Sequence, residues 1–152
     1  MMRNLALPIG LLFALTLPAA EPGVKAQFIG GTLAGVSARS SARLDLTAAD
    51  ELVFRCDKGE LRVAYRKVNT VEYGQSVNRR YAAAVLISPV LLLSKSRKHF
   101  VTLGYVDGEG KQQALVFRVN KGDIRSVLAA LEARTGRRVE YQDDEARKAG
   151  KG

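Results

Sequence analysis

At 152 residues, with 47% hydrophobic and 26% charged side chains, the chain is long enough for one domain with a real core and too short for two. The formal net charge of +9 suggests an anionic partner, while one cysteine and one histidine exclude an intramolecular disulfide and a metal site built from His and Cys ligands within one chain. No repeat of 20 to 50 residues and no low-complexity tract appears beyond a short polar C-terminus.

Residues 1–20, MMRNLALPIGLLFALTLPAA, place Arg3 before an apolar run from Leu5 to Leu17 and end in small residues, with no acid among them. That layout predicts an export signal, cleaved after Ala20 or Ala26, and a periplasmic or extracellular protein. The apolar run is shorter than the roughly 20 residues of a spanning helix. Glu21 to Lys25 reads as a polar linker, and Phe28 to Val36, FIGGTLAGV, as the first strand, with Gly30 and Gly31 marking a bulge or tight bend.

From Ala42 the strand signal is continuous. ARLDL, ELVFRC and ELRVAYRKV are separated by Thr47–Asp50 and by Asp57, Lys58 and Gly59. Leu44 with Leu46, Leu52 with Phe54 and Cys56, and Leu61 with Val63 and Tyr65 each share a face, while Arg55, Arg62 and Arg66 point the other way. This is the alternation of an antiparallel sheet buried on one face. Cys56 reads as a small apolar residue of that pattern. VNTVEYG closes the meander. Further on, HFVTLGYV and QALVFRV form a hairpin across DGEGKQ, where Asp107, Gly108 and Gly110 supply turn positions. Ile124, Val127, Leu128 and Leu131 then recur at helical spacing over about Lys121 to Thr135, with Asn120 as N-cap and Gly136 as stop. Residues 142–152 read as a polar disordered tail.

Between the meander and the late hairpin lies an insert, residues 79–98, RRYAAAVLISPVLLLSKSRK. Tyr81, Val85, Leu86, Ile87, Val90, Leu91, Leu92 and Leu93 make its apolar part, and Arg79, Arg80, Lys95, Arg97 and Lys98 flank it. As a helix, Tyr81 to Leu93 would reach only about 20 Å, too short to cross a bilayer. Pro89 disfavours one straight helix. With Arg62, Arg66 and Lys67 nearby and Glu72 the one acid from Leu61 to His99, this region carries most of the positive field.

The element order, with GELRVAYRKVNTVEYG in mid-sheet, SKSRKHFVTLGYVDGEGKQQALVFRV as a late hairpin and a last helix ending in LEARTGRRVEY, resembles a bacterial pleckstrin-homology-like domain. It particularly resembles small exported, functionally uncharacterised proteins of that type, over roughly Phe28 to Tyr141. The resemblance implies a mainly β fold with C-terminal α, an antiparallel barrel or sandwich of six to seven strands plugged by one amphipathic helix, spanning 27–141. It also implies a scaffold for head groups, peptides or partner proteins, without catalytic residues. In head-group-binding members the ligand sits among basic residues of the first hairpin loop. Here Gly35 to Arg43 holds only Arg39 and Arg43, so no phosphoinositide site is carried over.

No catalytic, metal or cofactor residue is assigned. There is no GxSxG elbow, His99 stands beside Lys98, and the acid pairs Asp50–Glu51 and Asp143–Asp144 fall in a turn and the tail. The expected function is a non-catalytic exported interaction module whose insert mediates self-association or contact with a partner protein. The alternative is attachment of the same insert to an anionic membrane surface. Nucleic acid is disfavoured, since no aromatic residues are spaced as a stacking platform.

Overall fold

A computed structural model describes residues 22–32, 36–75 and 98–151. The expected signal peptide at 1–20, and the insert 79–98 apart from Lys98, lie outside the described residues.

The first strand, β1 (Val24–Gly31), begins within the stretch read as a linker and ends before Val36. Its first half pairs with β2 (Ser41–Asp45), Val24 opposite Leu44 and Gln27 opposite Ser41, so a partner strand supplies the order that local composition does not advertise. Between Phe28 and Gly30 the register slips, which is the bulge that the paired glycines predict. A Cβ on Gly31 would stand 2.6 Å from the Ala114 carbonyl oxygen, so only glycine allows this approach.

From β2 the chain runs through β3 (Glu51–Cys56) and β4 (Gly59–Ala64) as a tight meander. The continuous strand expected over ELRVAYRKV is then broken. Tyr65–Lys67 forms a 3-10 turn, with the Tyr65 amide donating to the Asp50 carbonyl at 2.9 Å, and the turn seats the Tyr65 ring in the core. That turn redirects the chain, so that β5 (Val68–Gly74) does not pair with β4. It pairs instead with β6 (His99–Val106), which forms the expected hairpin with β7 (Gln112–Val119). The hairpin turn is organised by the Asp107 carboxylate, which accepts from the Glu109 and Lys111 amides at 2.9 Å each, and Gly110 alone there takes a positive φ.

Because β7 returns to pair with β1, the strand order is β4-β3-β2-β1-β7-β6-β5-β8. The eighth strand, β8 (Glu140–Tyr141), pairs parallel with β5, and every other pairing is antiparallel. Among the described residues eight strands therefore replace the six or seven expected, and the sheet stays open, with β4 and β8 as its edges. It is not a closed barrel. Its inner face gathers Phe28, Leu44, Phe54, Leu103 and Phe117, with the Phe54 and Phe117 rings 5.7 Å apart.

Helix α1 (Ile124–Thr135) buries the predicted stripe of Ile124, Val127, Leu128 and Leu131. It starts later than the spacing implied. Residues 121–123 form a turn, so Asp123 rather than Asn120 holds the N-cap, without a side-chain cap. Gly136 stops the helix at φ 67, its amide donating to the Glu132 carbonyl at 3.0 Å. The polar tail is corrected as well, for Asp144–Lys151 is a second helix, α2. The Asp143 carboxylate accepts from the Ala146 amide at 2.6 Å, and Ala146 is fully buried. The expected single plug is a pair of C-terminal helices.

Candidate binding surface

Of the predicted interaction residues only Lys98 is described, half-buried just ahead of β6. Its neighbours define the roots of the insert. Gly74 at the end of β5 still faces Phe100 on β6, so the two strands stay paired up to where the chain leaves the sheet and returns. One step away, the Tyr73 hydroxyl lies 2.5 Å from His99 Nδ1. Burial raises the Tyr73 pKa, reinforced by Tyr141 and Asp143, so the phenol stays protonated, and the direction of its hydrogen bond to Nδ1 follows the imidazole tautomer.

Burial, helped by the Lys121 charge, lowers the His99 pKa from its usual value. A base with a depressed folded-state pKa contributes stability that is full above its unfolded pKa of about 6.5 and is lost as pH falls through the folded value. Acidification below about pH 6.5 is expected to destabilise the wild type more than His99→Gln. Chemical unfolding measured across pH checks this, and parallel profiles for the two proteins would rule it out.

On the outer faces of β2, β3 and β4 the charges are organised into a ladder. Arg55 pairs with Glu60 at 2.8 Å and with Asp45 at 3.2 Å, and Arg62 pairs with Glu60 and Glu51 at 2.6 Å each. The Thr47 hydroxyl and amide, followed by Arg55, hold Asp45 below its usual pKa against the opposing effect of burial. Exposed pairs of this kind stabilise little and are screened by salt. Their consequence here is that Arg62 is neutralised, and Lys67 donates to the Asp107 carbonyl at 3.3 Å. The positive field assigned to Leu61–His99 is thus partly satisfied within the fold.

A second cationic surface lies beside this ladder, and its members come from strands distant in sequence. Lys25 on β1 stands opposite Arg43 on β2, and Arg43 stands opposite Arg55 on β3. On the other side of β1, Gln27 stands opposite Arg118 of β7. These side chains, with Asn120, line an open cleft of about 790 Å³, bounded at the β3–β4 turn by Asp57 and Glu60. Arg43 Nη1 donates to the Gly23 carbonyl at 3.2 Å and Gln27 Nε2 to the Arg39 carbonyl at 2.9 Å. Cys56 also borders the cleft, half-buried, its Sγ 3.4 Å from the Gly59 carbonyl. No sequence signal joins Lys25, Arg43, Arg55 and Arg118, since only the register brings them together.

The face also has an apolar strip. Ile29, Phe100 and Val116 alternate with core-facing neighbours along β1, β6 and β7, yet are 1%, 5% and 0% exposed. The stripe of α1 and Ala146 of α2 belong to the inner core instead. Among the described residues no helix is long and apolar enough to cross a membrane, and no group of three or more His, Cys, Asp or Glu is placed to hold a metal ion. No family model, curated protein or solved structure matches the chain.

Proposed function

We propose that the protein is an exported, non-catalytic interaction module on a pleckstrin-homology-like scaffold, using its apolar insert for self-association or contact with a partner protein. The observation that carries this reading is the position of the insert. It joins two strands that remain paired to their ends, Gly74 opposite Phe100, so the ladder between them is complete without it. An apolar run that the β5–β6 pairing does not use is the segment to which we assign the contact. The scaffold reading is supported by the pairing of the first strand with the seventh, by the absence, among the described residues, of pairing between β4 and β5, and by a helix packed on the inner face.

Replacing Ala82 to Leu93 with a short Gly and Ser linker is expected to leave a cooperatively folding domain, because loop closure changes slowly with length. The same replacement should abolish the concentration-dependent self-association of the full chain in sedimentation. Failure of the linker variant to fold would make the insert part of the core and end the proposal. Binding to anionic vesicles that weakens with salt and with Arg79→Ala plus Arg80→Ala would instead select the membrane reading, since attraction to anionic lipid is screened over about 8 Å at physiological ionic strength.

A further inference from the structure

We infer that the outer cleft across β7, β1, β2 and β3 docks a linear acidic polysaccharide, a site separate from the insert and beyond the reading above. Lys25, Arg43 and Arg55 stand directly opposite one another on three adjacent strands. Like charges in that relation destabilise a sheet, and a local rule broken without need marks a candidate functional surface. Asp45 and Glu60 compensate Arg55. Lys25 and Arg118 make no ion pair among the described residues. An anionic ligand supplies the charge that they lack.

The geometry selects the kind of anion. Adjacent strands are about 4.8 Å apart, so Lys25, Arg43 and Arg55 recur at about that interval along a line perpendicular to the strands. Arg118, opposite Gln27 on β7, stands one strand further on and two residues along β1 from Lys25, so the track bends there and extends about 15 Å in all. A glycan bearing one carboxylate per sugar presents its charges at a comparable interval. An extended peptide turns alternate side chains to opposite faces and so offers charges more widely spaced. Binding of single-stranded nucleic acid relies on aromatic stacking, and no aromatic side chain lines the cleft. Recognition is therefore by charge and by hydrogen bonds to hydroxyls.

The polar groups suit that task. Arg55 is held by two carboxylates through Nε and Nη1, which fixes the guanidinium and leaves further N–H donors, so little side-chain freedom is lost on binding. Gln27 commits its Nε2 to the Arg39 carbonyl and keeps its Oε1 to accept from a sugar hydroxyl. A volume of about 790 Å³ falls in the range of ligand sites. Asp57 and Glu60 at the β3–β4 turn repel a polyanion and set the end of the track.

The test is calorimetric titration of the full chain with oligouronates of increasing length, next to neutral oligosaccharides of equal length. Affinity is expected to rise with length to about four sugars, the span of the cation line, then level off, and to fall steeply as salt is raised to about 0.3 M. Neutral sugars should not bind. Lys25→Ala with Arg118→Ala should weaken binding about tenfold or more with an unchanged thermal unfolding profile, while Lys148→Ala on α2 should change neither. The insert-linker variant should bind as the full chain does, so that failure of this site and failure of the insert reading appear separately. Absence of oligouronate binding at low salt, or equal binding by the Lys25 and Arg118 variant, overturns the proposal. So does equal or tighter binding of a length-matched single-stranded oligonucleotide, an acidic peptide or anionic vesicles.

Discussion

Leu128→Ala is expected to lower the unfolding free energy by about 2–5 kcal/mol, the cost of a buried leucine truncated where its surroundings cannot collapse. Leu128 is 2% exposed on the α1 stripe. Its Cδ1 stands 3.2 Å from where a Cβ on Gly150 would lie, so the same methyl group also supports α2. Truncation removes a contact with the sheet and one with the second helix together. Denaturant unfolding gives the value, and a change under about 0.5 kcal/mol would mean that the stripe does not pack as described.

Gly150→Ala provides a test in which two effects have opposite signs. In an exposed helix the change should stabilise, by about 1 kcal/mol from propensity. Here the added Cβ would meet Tyr141 Cε1 at 2.7 Å, with Leu128 Cδ1 at 3.2 Å and Tyr73 Cδ1 at 3.3 Å behind it. Tyr73 is fully buried and cannot yield by turning outward. The clash should prevail, costing about 1–3 kcal/mol as overpacking does, and α2 should lift away. Hydrogen exchange at Asp144–Lys151 should then accelerate while β6 and β7 keep their protection. Stabilisation would show instead that α2 rests loosely on Tyr73 and Tyr141.

These two residues also show where local sequence stops being informative. Leu128 announces itself, because Ile124, Val127, Leu128 and Leu131 repeat at helical spacing and each is buried. The β3–β4 and β6–β7 hairpins were equally legible, since alternation and turn residues are encoded within a few positions. Gly150 and Ala146 give no such signal. Their role is close approach by small side chains, which adds almost nothing to a hydrophobic pattern and leaves DEARKAGK resembling a tail. The two-residue β8 is shorter than any period that reveals a strand. Likewise Tyr65 continues the alternation of β4, and only Asp50, on the far side of β3, fixes the turn there.

The cationic row fails to appear in the sequence for a different reason. Lys25, Arg43, Arg55 and Arg118 each read as an ordinary outward residue, and their alignment is a property of register between strands. The concentration of charge around the insert was visible because it is contiguous. Part of it is consumed by Glu60, two residues from Arg62, by Glu51 across the β3–β4 hairpin, and by the Asp107 carbonyl, which lies 40 positions from Lys67.

The pairing of β1 with β7 also governs the order of events as the chain is made. Thr32 and Ala114, which meet at the end of that pairing, are separated by 82 positions. The β1–β4 meander can assemble as soon as it leaves the ribosome, but along β1 it then offers a row of unsatisfied amides and carbonyls beside Phe28 and Ile29. Such an edge invites other chains, and contacts of this span form slowly. Only when the Gln112–Val119 strand is synthesised does the sheet acquire its central seam. A nascent chain stopped after Val106 therefore has two half-sheets with bare flanks, and its hazard is aggregation rather than partial activity.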